Sequence, residues 1–187
     1  MSFLYFLESI RNPVLDFLFS LITLLGEETV FMAIGMIVFW CVSKQKGYYL
    51  LCVGFVGTVI NQFLKILFRI PRPWVKDPNF SIVESAREAA SGYSFPSGHT
   101  QTSVGLFGGL ALKFKHRAIR IASIALCVLV PFSRMYLGVH TPQDVLVGAV
   151  ASLGVVWDTA DVLMGLMAII NVPVIFLLSK TAANCLN

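Results

Sequence analysis

The hydrophobic positions of this chain fall into long runs that are separated by short polar connections. Only the longer runs approach the ~20 apolar residues with which a helix crosses the hydrocarbon core of a bilayer, and the others are shorter. The pattern therefore predicts an all-α, multi-pass transmembrane bundle of five to six spans. The runs are about residues 29–43, 48–68, 99–112, 119–132, 142–157 and 162–178.

The first part of the chain, residues 3–26, is also apolar, but charged residues interrupt it. Asn12-Pro13 is typical of a helix boundary, because the residue before a proline is disfavoured in a helix. We expect an N-terminal interfacial amphipathic helix followed by a short helix that dips into the membrane. A full span across residues 3–26 is the alternative. The interrupting charges are Glu8, Arg11 and Asp16.

Composition agrees with a membrane protein. Hydrophobic residues make up 57% of the chain and charged residues 13%, whereas soluble domains carry about a quarter charged residues. The mean hydropathy is +0.79. No basic run interleaved with aromatic residues suggests a nucleic-acid partner. The cysteines show neither a CxxC nor a Cys/His spacing, so we expect no metal site, no disulfide framework and no cofactor.

The charges between the runs predict an orientation. Lys44 and Lys46 lie in one short connection, and the segment 113–120 forms a second basic one. Basic short loops stay on the cytoplasmic side, so Glu27-Glu28 and the opposite helix ends should lie outside. Three polar clusters then meet at the outer face of a plasma or inner membrane. The clusters are residues 65–73, 94–99 and 133–144.

The first cluster supplies cations. Lys65 and Arg72 are two helical turns apart, so they share a helix face if the helix continues that far. Lys65 lies within an apolar run, where a cation is expensive and usually functional. The alternative is a lysine that snorkels to the interface beside a positively charged helix end.

The second cluster, Pro96-Ser97-Gly98-His99, has the features of a helix start. Ser97 can cap the helix, and Gly98 allows another group to approach the backbone closely. Free N–H groups at a helix start bind anions, and His99 stands beside them. An ordinary capped helix with a surface histidine is the alternative.

The third cluster combines Arg134, His140 and Asp144. Thr141 as N-cap and Pro142 as the first helical residue predict a helix start there. Asp144 then lies near His140, where its carboxylate can accept from one imidazole nitrogen and leave the other nucleophilic. A capping box formed by Asp144 is an alternative that is compatible with this role. Together the clusters fit phosphoryl transfer in which cations and backbone N–H groups hold the phosphoryl oxygens.

In this order, the clusters resemble the three motifs of the type 2 phosphatidic acid phosphatase (PAP2) family. The family pattern is Lys-x6-Arg-Pro, then Pro-Ser-Gly-His, then Ser-Arg-x5-His-x3-Asp, and every specified position matches. The resemblance covers about residues 10–155. The matching residues are Lys65, Arg72-Pro73, Pro96-Ser97-Gly98-His99, Ser133-Arg134, His140 and Asp144.

The resemblance implies a role for each site residue. His140 would be the nucleophile that takes the phosphoryl group, Asp144 would orient it, and His99 would be the general acid. The phosphate oxygens would be bound by Lys65, Arg72, Ser97, the Gly98 backbone and Arg134. The implied activity is metal-independent dephosphorylation of a lipid phosphate or diphosphate through a phosphohistidine. Vanadium haloperoxidases resemble the same site, but they are soluble proteins.

The C-terminal segment departs from the family pattern. Residues 156–187 are similar to the end of sodium/alanine symporters, so we expect a 1–155 phosphatase domain followed by a hydrophobic helix and tail. A divergent last helix is the alternative.

Other functions and the choice of substrate stay open. A non-catalytic lipid-binding or transport element on this scaffold is the alternative function, and an intact His99, His140 and Asp144 argues against it. Phosphatidate, polyprenyl diphosphate, phosphatidylglycerol phosphate and sphingoid phosphates all present an apolar tail and a phosphate. Membrane lipids are the expected partners, and the sequence predicts no oligomeric state.

Overall fold

A computed structural model describes residues 1–87, 90–156 and 158. The regular secondary structure of these ranges is helical, and no strand occurs in them. A π-helical turn, Val38–Val42, extends α3, and a short 3₁₀ turn, Glu84–Ala86, lies in the loop before α6. The helices are α1 (Ser2–Ser9), α2 (Pro13–Leu24), α3 (Glu28–Ile37), α4 (Lys44–Phe68), α5 (Pro73–Lys76), α6 (Gly98–Lys113), α7 (Arg117–Tyr136) and α8 (Pro142–Val156).

The predicted multi-pass helical membrane fold is confirmed. Helices α4 and α7 are long and apolar enough to cross a bilayer, and α8 is a shorter apolar helix. Helix α2 and the α3 segment form an apolar pair that is bent by 50°. The prediction of five to six spans stays open, and the run at 162–178 lies outside the described residues.

The apolar side chains divide between a buried core and a surface for lipid. Phe31, Leu50 and Leu106 pack together between α3, α4 and α6. Large apolar side chains on the outer faces, such as Phe55 of α4 and Val128 of α7, are more than half exposed. A water-soluble monomer rarely exposes so much apolar surface, so these faces are suited to contact with acyl chains.

Helix α4 approaches its neighbours closely at small residues, as is common in membrane bundles. A Cβ at Gly54 would lie 1.9 Å from the Phe31 ring, and one at Gly57 would lie 1.9 Å from Gln101 Nε2. Only glycine permits these contacts, which hold α4 against α3 and α6.

The predicted break at Asn12-Pro13 is confirmed. The Asn12 side chain accepts from the Leu15 N–H at 3.0 Å, and Pro13 is the first residue of α2. Beyond α2, the chain bends at Gly26 and continues as α3, so the segment between these helices reaches the site described below.

The end of α4 corrects one expectation. The helix stops at Phe68, and Arg69 adopts a left-handed conformation with φ of 47°. Lys65 therefore belongs to α4 while Arg72 lies in the following loop. These residues do not share a helix face, because the chain turns before Arg72.

Candidate active site

An open pocket lies at the end of the bundle where α4 ends and where α6 and α8 begin. Six of the eight predicted site residues line it, and they come from the three polar clusters of the sequence. The turn between α2 and α3 and the start of α3 form a further wall, which includes Glu27 and Glu28. The six predicted residues are Lys65, Arg72, Gly98, His99, Arg134 and His140.

His140 lies in the turn between α7 and α8 and is 2% exposed. Its Nε2 is 3.0 Å from Nη1 of Arg72, and its Nδ1 is 3.6 Å from Oδ2 of Asp144. An arginine can only donate, so Nε2 is the acceptor and the proton resides on Nδ1, facing the carboxylate. The lone pair of Nε2 therefore faces Arg72, which is one of the cations that line the pocket.

Burial lowers the pKa of His140 to about 3, against the opposing effect of the Asp144 carboxylate. Nearby Arg72 and Arg134 act in the same direction as burial. The imidazole is consequently neutral near pH 7, which is the protonation state that a nucleophilic nitrogen requires.

Asp144 lies behind His140 rather than on the pocket wall, and it is held by two donors. Its Oδ2 accepts from the Ser94 hydroxyl at 2.6 Å and from the Thr141 N–H at 2.9 Å. The Asp144 N–H lies 3.3 Å from Thr141 Oγ1, so the capping box is formed as well. The carboxylate can therefore cap α8 and face His140 together.

Arg72 is buried, and backbone carbonyls fix its guanidinium group. Nε donates to Gly92 O at 3.2 Å, Nη1 to Val139 O at 3.0 Å and Nη2 to Ser91 O at 2.9 Å. These contacts orient a planar cation towards His140, and among the described residues no carboxylate lies within 4.0 Å of its nitrogens.

Arg134 is fully buried, and one of its nitrogens is held by an element outside the predicted motifs. Nη1 donates to the Thr23 hydroxyl of α2 at 2.9 Å. Within the described ranges, Nε and Nη2 have no hydrogen-bond partner, and neither does Nε2 of His99. A buried guanidinium with free donors beside a pocket is suited to an anion, because leaving such donors unpaired is costly.

Ser97 and Gly98 of the second motif lie at the start of α6, but only Gly98 lines the pocket. The Ser97 hydroxyl accepts from the Thr100 hydroxyl at 2.9 Å and from the Thr100 N–H at 3.4 Å, so it caps α6. Ser97 is buried and is not among the residues that line the pocket. Gly98 does line it, and a Cβ there would lie 3.6 Å from Lys65 Nζ. The lysine ammonium and the helix N-terminus thus adjoin each other.

Sequence reasoning missed three contributors: Ser94, Thr23 and the carbonyls around Arg72. Ser94 lies close to the Pro-Ser-Gly-His motif, but nothing in the sequence indicates that its hydroxyl binds Asp144. Thr23 lies within an apolar run and looked like part of a helix face. Every residue has a backbone carbonyl, so no sequence motif can identify the ones that bind Arg72.

A helical membrane bundle with a neutral histidine in a pocket lined by three cations defines a membrane phosphoryl-transfer enzyme. The PAP2 superfamily model matches residues 45–170. The chain belongs to the PAP2 superfamily, and it is a membrane phosphatase of lipid phosphates.

Similar proteins include a probable sphingosine-1-phosphate phosphatase of Dictyostelium discoideum, 34% identical over 79% of this chain. The chain spans 38% of that protein's length. The undecaprenyl-diphosphatase BcrC of Bacillus subtilis is 30% identical, and the match covers 76% of this chain and 72% of the length of BcrC.

Two solved structures share the fold. The crystal structure of Aquifex aeolicus LpxE superposes with a TM-score of 0.71 at 25% identity, covering 82% of this chain and 89% of LpxE. The crystal structure of the PAP2-type phosphatidylglycerolphosphate phosphatase of Bacillus subtilis superposes with a TM-score of 0.70 at 26% identity. The match covers 88% of this chain and 83% of that phosphatase.

Proposed function

We propose that the enzyme removes the phosphate from a membrane lipid phosphate or diphosphate through a phosphohistidine at His140, without a metal ion. The observation that carries this proposal is the position of His140. Its Nε2 faces a pocket lined by Lys65, Arg72 and Arg134, and Asp144 lies 3.6 Å from its other ring nitrogen.

In the first step, the Nε2 lone pair attacks phosphorus and the bond to the leaving oxygen breaks. The three cations and the N-terminus of α6 stabilise the charge on the equatorial oxygens of the transition state. The negative charge of the phosphate bound beside His99 favours the protonated form of this imidazole, which donates its proton to the leaving oxygen, and the leaving group departs as an alcohol or as a phosphate ester. Asp144 stabilises the positive charge that develops on His140 as the nitrogen–phosphorus bond forms.

In the second step, water attacks the phosphohistidine. His99, now deprotonated, accepts a proton from that water as it approaches phosphorus. The nitrogen–phosphorus bond breaks, inorganic phosphate leaves, and both histidines return to their starting states. The electron pair of the broken bond stays on Nε2, so His140 is again neutral.

The metal-independent part of the proposal rests on how the charge is compensated. A phosphate monoester carries up to two negative charges near pH 7. Lys65, Arg72 and Arg134 supply three positive charges around the pocket. Protein cations of this kind perform the charge stabilisation that Mg²⁺ supplies in other phosphoryl-transfer sites.

We further propose that the pocket faces the outer side of the plasma or inner membrane. The basic connections around Lys46 and Lys115 lie at the helix ends remote from the motif residues, and basic short loops stay inside. The relatives' names cover sphingosine phosphate, undecaprenyl diphosphate and lipid A phosphates.

The test is release of inorganic phosphate by detergent-purified protein, in EDTA, from a panel of lipid phosphates and diphosphates. We expect release by the wild type and a loss of at least about 10³-fold in His140→Ala, because a nucleophile cannot be replaced by its surroundings. The matched control is His116→Ala, since His116 is exposed and remote from the pocket. Rapid quenching with phosphate-labelled substrate should trap an acid-labile phosphoprotein in the wild type alone.

Retained activity in His140→Ala would remove the assigned nucleophile. Loss of activity in EDTA that returns with Mg²⁺ would contradict the metal-free mechanism. A folded wild type that binds lipid phosphates and releases no phosphate would favour the non-catalytic alternative.

A further inference from the structure

Two buried polar side chains in the interior of the bundle take no part in the phosphatase chemistry. Asn61 of α4 is 3% exposed and Gln101 of α6 is 4% exposed. Among the described residues, neither Oδ1 of Asn61 nor Nε2 of Gln101 has a hydrogen-bond partner. Leaving a buried polar group unpaired is costly, so these two atoms need an explanation.

The two side chains line the same small cavity between α4, α6 and α8. Its volume is about 10 Å³, and its other lining residues within the described ranges are apolar, Leu64 and Val155 among them. A cavity of this size is at the lower limit for one water molecule, which binds where it finds at least two polar partners. No described residue lines both this cavity and the active-site pocket, so the two sites are separate.

The two unpaired atoms are chemically complementary. Oδ1 of Asn61 is an acceptor and Nε2 of Gln101 is a donor, so one water can donate to the first and accept from the second. The amide of Gln101 lies directly on the backbone of α4, because a Cβ at Gly57 would lie only 1.9 Å from Nε2. A water between the two groups would therefore connect α4 to α6 in the interior of the bundle.

The cavity lies next to the part of the active site that contains Lys65. Asn61 precedes Lys65 by one turn of α4, and Gln101 follows Gly98 by one turn of α6. A Cβ at Gly98 would lie 3.6 Å from Asn61 Oδ1 and 3.6 Å from Lys65 Nζ. The amide of Asn61 and the ammonium group of Lys65 thus adjoin the same point at the N-terminus of α6.

From this arrangement we infer that Asn61 and Gln101 hold one buried water molecule between α4 and α6, and that this bridge positions Lys65 beside the N-terminus of α6. The second part rests on the proposed function, in which Lys65 binds phosphoryl oxygens. Asn61 and Gln101 are positioning residues, because they act through Lys65 and do not line the phosphate pocket. Ser152 ties α8 to the same level, since its hydroxyl donates to Gln101 O at 2.8 Å.

The water site is tested by a crystal structure of the wild type at a resolution where ordered waters are visible. We expect one density peak about 2.7–3.2 Å from both Asn61 Oδ1 and Gln101 Nε2. A dry cavity would overturn the site, and so would a direct hydrogen bond between the two amides. This test does not depend on enzymatic activity.

The bridge is tested by thermal unfolding of Asn61→Leu, Gln101→Met and the double variant. Each single change leaves the other amide unpaired and should lower Tm by roughly 3–8 °C. The double change removes both polar groups, so its loss should be well below the sum of the two single losses.

Ser103→Ala is the matched control for this comparison, because the Ser103 hydroxyl donates to the Thr100 carbonyl within α6. Its effect should add to that of Asn61→Leu. Additive losses in Asn61→Leu/Gln101→Met as well would overturn the bridge.

The positioning of Lys65 is tested with Asn61→Ala and Asn61→Ser, which differ by one hydroxyl that can accept from water. The measurement is inhibition of lipid phosphate hydrolysis by inorganic phosphate. In Asn61→Ala the inhibition constant should rise roughly tenfold, because a misplaced ammonium group binds the phosphate less well. Asn61→Ser should recover part of this loss. A purely structural defect would reduce the amount of folded enzyme without changing the inhibition constant.

An unchanged inhibition constant in Asn61→Ala would overturn the positioning of Lys65 while leaving the water site and the phosphatase proposal intact. An equal rise in Asn61→Ala and Asn61→Ser would also overturn it, because the hydroxyl would then make no difference. A wild type that releases no phosphate from any lipid would overturn the proposed function and the role of Lys65, whereas the crystal structure would still decide the water site.

Discussion

At the scale of single residues, the site depends on how Asp144 is held as much as on its charge. The Ser94 hydroxyl donates to its Oδ2 at 2.6 Å, and the Thr141 N–H fixes the same oxygen. A hydrogen bond to an ionised group is among the stronger ones in proteins. Ser94 is therefore a positioning residue, which acts on His140 through the carboxylate.

We predict that Ser94→Ala lowers kcat by roughly tenfold, because each of the two donors restricts the carboxylate that orients His140. KM should change little, since Ser94 lies outside the pocket wall. Ser94→Thr keeps a hydroxyl and should restore part of the rate. The measurement is steady-state phosphate release on one lipid phosphate.

The control for that prediction is Ser103→Ala. Ser103 is equally buried, but its hydroxyl donates to the Thr100 carbonyl within α6 and does not approach Asp144. An equal fall of kcat in both variants would mean that Ser94 acts only through stability, and so would the absence of any recovery in Ser94→Thr.

At the scale of helices, the site is assembled where α8 crosses the start of α6. Gly148 of α8 faces the Ser97 backbone, and a Cβ there would lie 2.9 Å from Ser97 O. The Ser97 N–H also donates to Asp144 O at 3.1 Å. The two helix starts that carry His99 and Asp144 are thus joined directly by backbone contacts.

We predict that Gly148→Ala destabilises the protein by about 1–3 kcal/mol, because the new methyl group meets backbone that cannot rotate away. Activity should fall as well, since α8 must shift relative to the start of α6. Thermal unfolding in detergent and phosphate release would measure the two effects together.

Gly154 offers a matched control in the same helix, because a Cβ there would meet nothing within 4 Å. Gly154→Ala should be neutral or stabilising by up to about 1 kcal/mol, as expected where alanine replaces glycine within a helix. If both variants unfolded at the same temperature as the wild type, the close packing of α8 on α6 would be contradicted.

The break between α2 and α3 also helps to assemble the site. It brings Thr23 to Arg134 and places Gly26 against His99, so an N-terminal element that precedes the family match completes the pocket. The two helices that flank this break meet at an angle of 50°.

At the scale of the whole molecule, the distribution of charge predicts the orientation in the membrane. The basic connections and the motif residues lie at opposite ends of α4, α6 and α7. Basic loops favour the cytoplasmic side, so the pocket and the 74–96 loop should face outward.

We predict that a single cysteine at position 79 reacts with a membrane-impermeant maleimide in intact cells. A single cysteine at position 115 should react only after the membrane is opened. Asn79 and Lys115 are both exposed, and their replacement would be made in a chain whose four cysteines are changed to serine. The reverse labelling pattern would place the pocket on the cytoplasmic side.

The sequence by itself determined the features that depend on neighbouring residues. Apolar runs set the membrane helices, and the starts of α2 and α8 follow from Asn12-Pro13 and Thr141-Pro142, because caps and prolines act within one turn. The motifs also contain six of the residues that line the pocket, since the chemistry of a motif is carried by residue type and spacing.

Tertiary structure decided the contacts between distant parts of the chain. Ser94 meets Asp144 across 50 residues, and Arg134 meets Thr23 across 111. The loop after α4, rather than a shared helix face, brings Arg72 to His140. Such contacts depend on how the helices pack and bend, which no local pattern in the sequence specifies.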